Sequence, residues 1–245
     1  MFWKSKHQEP EITFVSTLEG LADDKEVLPR PAREFYPEWW RDLPSKIGVD
    51  KSLWAPGTMG TAKQCPSFIH WYNKGMVIPA WCDMSLKYNS ETTEYMWTAG
   101  RQGSPYRIEP HNDDQFITYA NPKIQKKEAT FSFKLECPWN IITPNGWSTM
   151  VLPMFYHFND DWSVLPGIID TDISHQIHQQ IAYFGEGQEV FIPKGGPLAH
   201  YIPFKRSKTT FDVRESTDKD KYRFASANLK TFSKRRGGYL TMERN

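Results

Sequence analysis

The chain has 245 residues, and its 30 basic and 29 acidic side chains leave a formal charge of +1, which excludes a global field for phosphate backbones or anionic membranes. Its three cysteines lack CxxC or zinc-finger spacing, which excludes a disulfide framework; no window approaches the roughly 20 apolar residues of a membrane span, and the N-terminus carries no signal-peptide run. Aromatic side chains make up 15% of the chain although mean hydropathy is −0.64, so large rings must bury much of the apolar area, as in proteins of many short strands or at protein interfaces.

Residues 1–66 read as a Pro-rich arm wrapped on a body. Pro10, Pro29, Pro31, Pro37, Pro44 and Pro56 fix φ and remove backbone donors, which rules out long helices and central strands. One short helix is expected over 32–42, with Phe35, Trp39 and Trp40 as its apolar patch and Pro37 near its first turn. Residues 67–206 read as a β-rich body. It opens with a hairpin, 68–72 against 76–81 across Asn73-Lys74-Gly75, and continues with strands over 93–98, 115–119 and 130–135. Short strands then follow closely at 150–152, 164–165, 167–169, 178–184, 189–192 and 198–204, a spacing that means a sandwich or barrel. Residues 207–245 form a polar and basic tail, expected to be weakly structured in isolation.

Two segments carry the most chemical information: Leu165-Pro166-Gly167-Ile168-Ile169-Asp170-Thr171-Asp172, and Lys194-Gly195-Gly196-Pro197-Leu198-Ala199-His200. Through them the body resembles the trimeric dUTPase and dCTP deaminase family, which implies a mainly β fold, a β-clip or distorted barrel of short strands with an N-terminal arm and an extended C-terminal tail. In that family the first segment carries the carboxylate that activates the attacking water, and the second closes the body near the nucleotide phosphates. The resemblance thus implies Asp170 as a catalytic carboxylate and Gly195, Gly196 and His200 as nucleotide-binding. Trp81-Cys82-Asp83-Met84-Ser85-Leu86 resembles the family's first Asp-bearing strand, which adds Asp83. Arg236-Gly237-Gly238-Tyr239-Leu240-Thr241 resembles its C-terminal Gly-rich arm, which adds Arg236, Tyr239 stacked on the base and Thr241 at the phosphates. Mg2+ would accompany a nucleotide hydrolase; otherwise no cofactor is expected.

The departures bear on chemistry. Where the family places an Arg-Ser-Ser segment, this chain reads Leu152-Pro153-Met154-Phe155-Tyr156-His157-Phe158; Ile173 stands for the deoxyribose-packing tyrosine and His200 for a glutamine. Phosphoryl transfer needs positive charge or oriented donors, which a carboxylate alone does not supply. Asp170 and Asp172 then read as turn residues on a retained scaffold. A second enzymatic reading takes His111-Asn112-Asp113 with His200 as the facial triad of an iron/2-oxoglutarate oxygenase. His175 and His178 fall on opposite faces of a strand, and the cysteines stand in no nucleophile motif.

Tyr36-Pro37-Glu38-Trp39-Trp40, residues 138–144 and Ile202-Pro203-Phe204-Lys205-Arg206 are similar to an uncharacterised family common in marine tailed phages, which implies a virion or host-cytoplasmic setting. The expectation is a non-catalytic structural or assembly protein, a homo-oligomer or part of a larger viral assembly, with Trp39, Trp40 and Tyr239 at interfaces. A nucleotide enzyme with a rewired phosphate site and the oxygenase are the alternatives. Neither a membrane nor nucleic acid is an expected partner.

Overall fold

In the computed structural model of the chain the described residues are 11–48, 58–89, 91–92, 94–100, 107–110, 131–184 and 187–233. The N-terminal part contains β1 (Thr13–Ser16), β2 (Arg30–Pro31), helix α1 (Glu38–Asp42), the pair β3 (Lys46–Gly48) and β4 (Thr58–Gly60), and helix α2 (Pro66–Tyr72). Next come β5 (Met76–Pro79), β6 (Met84–Asn89), β7 (Glu94–Ala99), β8 (Ile108–Pro110), the long β9 (Phe131–Ile142) and β10 (Trp147–Leu152). The series closes with β11 (Trp162–Val164), β12 (Gly167–Ile169), β13 (Gln176–Tyr183), β14 (Val190–Ile192), β15 (Pro197–Lys205) and helix α3 (Asp218–Ser233).

The protein is mainly β, and every strand pairing among the described residues is antiparallel. One sheet runs β1-β9-β13-β11, with β8 also on β9; a second runs β12-β10-β15-β5-β2; a third, smaller one runs β14-β6-β7. These are open sheets rather than closed barrels. Period-two alternation explains their packing: along β9, Phe133, Leu135, Cys137, Trp139 and Ile141 all turn into the core, while Lys134 and Glu136 between them hold the other face. Ile177, Ile181 and Tyr183 of β13 and Leu198, Ala199 and Tyr201 of β15 meet them there. Pro138 interrupts β9 without breaking it. It falls where the register on β13 shifts between Gln176 and His178, so the ladder does not need the N–H it lacks.

The N-terminal segment is built into these sheets: β1 extends the first through β9 and β2 extends the second through β5. The helix expected over 32–42 is a 3₁₀ turn at Ala32–Phe35 followed by α1, with Pro37 immediately before its first residue. Residues 68–72, expected as the first arm of a hairpin, instead form α2. Pro66 starts that helix, and Phe68 and Tyr72, four apart, bury one face against Ala32, Phe35 and Val77. Gly75, read as a hairpin residue, is the left-handed turn out of α2 (φ 71°), and a Cβ there would lie 2.1 Å from the Tyr201 carbonyl oxygen. The strand expected at 115–119 lies outside the described residues.

The tail differs from its expectation too. Beyond β15 it carries no regular secondary structure up to residue 217 and is then helical. The helix begins on a capping box: the Thr217 hydroxyl accepts from the Asp220 N–H (3.3 Å) while the Asp220 carboxylate accepts from the Thr217 N–H (2.9 Å). Arg214 clamps the same carboxylate at 2.5 Å. No helix among the described residues is long and apolar enough to cross a membrane.

Candidate functional site

Asp170 lies on the turn after β12, where its carbonyl accepts from the N–H groups of Ile173 (2.9 Å) and Ser174 (2.8 Å). Thr171 between the two aspartates points inward, fully buried, its hydroxyl 2.9 Å from those of both Thr143 and Thr149. That buried threonine trio fixes the turn and sends both carboxylates the other way, toward the start of β10 and the end of β15. There Arg206 collects them. Its guanidinium donates to both Asp172 oxygens (2.8 and 2.5 Å), to the Trp147 carbonyl (2.9 Å) and to the Ser148 hydroxyl (3.0 Å), and lies 3.2 Å from Asp170. The Ser148 hydroxyl donates to Asp170 at 2.6 Å, and Asp172 also accepts from the Gly146 N–H at 2.7 Å.

Asp172 has only 2% of its side chain exposed, and the Arg206 guanidinium, then the Gly146 N–H, hold its carboxyl down at about pKa 2 despite the opposing desolvation. The fork-to-fork pair occupies the guanidinium, which among the described residues is the one cation the geometry brings to Asp170. The cluster therefore works as a clamp joining β10, the β12 turn and the last residue before the tail. Asp170 remains half-exposed at its rim.

The other expected residues go elsewhere. The Asp83 carboxylate accepts from the Lys194 N–H (2.8 Å), which ties the start of β6 to the segment that closes the body, while Lys194 Nζ reaches Asp24 (2.7 Å) and Glu26 (3.4 Å). Gly195 and Gly196 exchange backbone bonds with Ala80 (2.8 Å each), and the left-handed Gly195 (φ 77°) packs where a Cβ would strike Glu26. His200 is buried in the second sheet, its Nε2 2.5 Å from the Lys74 carbonyl, its ring against the edge of Trp71, and burial lowers its pKa. Asp83 and Asp170 thus belong to different constellations, and the expected phosphate-closing residues serve backbone geometry. His111, Asp113, Arg236, Tyr239 and Thr241 lie outside the described residues. Cys82 and Cys137 are buried, and desolvation pushes both thiols up to about pKa 12, far from thiolate chemistry.

What the sequence reading undervalued is the segment where a phosphate loop was absent. Residues 153–158 cross over α1 and α2 in a conformation held from three sides: Trp39 Nε1–H donates to the Tyr156 carbonyl (2.7 Å), the Tyr72 hydroxyl to the Phe155 carbonyl (3.0 Å), and His157 Nε2 bonds the Phe35 carbonyl (3.0 Å). Tyr156 and Phe158 are left-handed (φ 70° and 51°), strained for aromatic residues. Trp40 lies within the stack of Tyr36 (4.0 Å) and Phe68, whereas Trp39, Phe155, Tyr156 and Phe158 leave an aromatic ledge open to solvent. Beside the ledge, a cleft of about 320 Å³ opens between residues 153–164 and 191–197, with Trp162 and Phe191 as its large rings and His157, Asn159, Asp161 and Ser163 as its polar side chains. Its only signal in the sequence was the aromatic density of 152–158.

Body and clamp together define an open, antiparallel β protein whose most prominent carboxylates are internally neutralised. No protein-family model and no curated protein matches the chain. Among solved structures, the native dUTPase of EIAV aligns with 58% of this chain and 87% of its own, at 11% identity and a TM-score of 0.33, too loose a likeness to carry an argument.

Proposed function

We propose that the chain is a non-catalytic structural or assembly protein that joins other subunits through its C-terminal tail. The observation that carries this reading is the tail itself: Phe211 (89% exposed), Val213 (95%), Tyr222 (77%) and Phe224 (57%) are left uncovered by their own body. Apolar groups held in water in this number mark a surface that another molecule covers. The clamp supports the reading, because Arg206 anchors the base of the tail to β10 and so sets the point from which it departs. A virion or phage-accessory role, as the whole-chain resemblance implies, fits such a protein. The test is mass in solution by light scattering and native mass spectrometry. The full chain is expected above its 28.6 kDa monomer mass and a chain ending at Arg206 at monomer mass; a full chain that stays monomeric overturns the proposal.

One observation favours a second reading, a nucleotide-binding or nucleotide-hydrolysing enzyme: half-exposed Asp170 has Ser148 and Arg206 beside it. Hydrolysis there would require Arg206 to leave Asp172 for a phosphate. Release of pyrophosphate from a panel of nucleoside triphosphates with Mg2+, abolished in Asp170→Asn, would establish it, and absence of turnover would remove it.

A further inference from the structure

Resting on the assembly reading, we infer that the cleft between residues 153–164 and 191–197, with its aromatic ledge, is the receptor for the tail of a second copy of this chain, with Lys208 entering the cleft and Phe211 and Val213 covering the ledge. The cleft is selective in its chemistry. Asp161 brings a carboxylate, and His157, whose Nε2–H is spent on the Phe35 carbonyl, has only an accepting Nδ1 left. Among the described residues no lysine or arginine lines it, and Lys194 of the adjoining segment is turned to Asp24 and Glu26. A site of acceptors between Trp162 and Phe191 suits a cation on an aliphatic stem, whose methylenes pack on the rings while its ammonium meets the carboxylate.

The tail offers that chemistry in the stretch before its helix. Phe211 and Val213, both exposed and two apart, fall on one face once the segment is drawn out along the ledge. Asp212 and Asp220 are engaged with Arg214, and Asp218 with Lys221, whereas Lys208 has no carboxylate partner among the described residues. One chain thus carries an uncovered aromatic ledge beside an acidic cleft, and an uncovered apolar segment led by a free cation. Such paired surfaces fit each other between identical subunits.

The connectivity favours exchange over folding back. Pro197, the first residue of β15, lines the cleft, whereas the tail leaves from the far end of that strand, roughly 27 Å away at ~3.4 Å per residue. Arg206 fixes the departure there.

The experiment measures self-association of the full-length chain by native mass spectrometry and light scattering. Asp161→Lys and Lys208→Glu are each expected to raise the dissociation constant at least tenfold, and the double variant carrying both to restore it, since the pair is then reversed but still attractive. Phe191→Glu, at a side chain 58% exposed and so tolerant of substitution, is expected to abolish assembly without shifting the melting temperature. If these variants assemble as the wild type does while the chain ending at Arg206 is monomeric, the receptor assignment falls and the assembly reading stands. If the truncated chain assembles too, both fall. A double variant no better than either single one also overturns the Lys208–Asp161 pairing.

Discussion

Arg206 and Phe211 are close neighbours in the chain and opposite in their circumstances. Arg206 has its guanidinium occupied by the body: two carboxylate oxygens of Asp172, a carbonyl, a hydroxyl and the edge of Asp170. Phe211 is 89% exposed. The same contrast holds in the body, between the clamp and the aromatic ledge at 155–158. Where polar groups are satisfied internally, the structure stabilises itself; where large rings are held in water on a strained backbone, it spends stability on a surface. Asp83, Gly195, Gly196 and His200, which looked chemical in the sequence, are engaged in contacts within the fold, and the aromatic segment 155–158 joins Asp170 as a candidate for function.

Substitutions in the body should have the largest effects. Leu135, fully buried in the centre of β9, is expected to cost about 2–5 kcal/mol on Leu135→Ala by lost burial and the cavity left behind. Gly75→Ala should fall in the same range, roughly 2–5 kcal/mol, because a left-handed φ and a backbone oxygen 2.1 Å from the new Cβ act together. Denaturant unfolding measures both. Val213→Ser, by contrast, should stay within about 0.5 kcal/mol. A tail substitution that destabilises as much as a core one would erase the distinction between the two regions.

The ledge allows a finer test. Trp39→Phe removes the N–H that holds the Tyr156 carbonyl and should cost about 0.5–1 kcal/mol, the lower part of the usual range because the contact is near solvent. Phe158→Gly should act in the opposite direction: the ring is 70% exposed and contributes little burial, while glycine removes the left-handed penalty, for a gain of up to about 1 kcal/mol in thermal or chemical unfolding. A loss instead would mean that the ring's packing on Trp39, at 5.8 Å, outweighs the strain.

The fold was readable where local and global signals agree. From 150 to 204 short runs of apolar residues, separated by Gly, Pro and Asp turns, became strands close to their expected positions, because period-two burial and turn chemistry point the same way. The segment 68–72 was misread because Phe68 and Tyr72 satisfy helical spacing as well as β propensity, and only Pro66 at the first turn argued for the helix. Thr217 to Asp220 was a legible capping signal inside a tail judged by its charge. Asp170 was singled out as a site, but Ser148 and the threonine trio were invisible because side-chain partners across sheets depend on register. The left-handed Tyr156 and Phe158 had no signature, since that conformation usually announces itself through Gly or Asn.

A further prediction tests the clamp through pH. Asp172 is held at about pKa 2 against 3.8 for a free carboxylate, so the folded state favours the ionised form more than the unfolded chain does. Its contribution is therefore complete above about pH 4 and is lost as pH falls toward 2. Melting temperatures of the wild type and Asp172→Asn should differ at pH 5 and converge between pH 4 and 2, because protonation removes from the wild type what the substitution has already removed. The effect should be modest, since Arg206 is partly exposed and water screens it. It should also be confined to the body: if the tail makes its contacts beyond Arg206, Asp172→Asn loosens the base of the tail without erasing the surface that binds it. Self-association at neutral pH should then weaken less in Asp172→Asn than in Lys208→Glu. The reverse order would mean that the clamp, rather than the exposed segment beyond it, determines assembly.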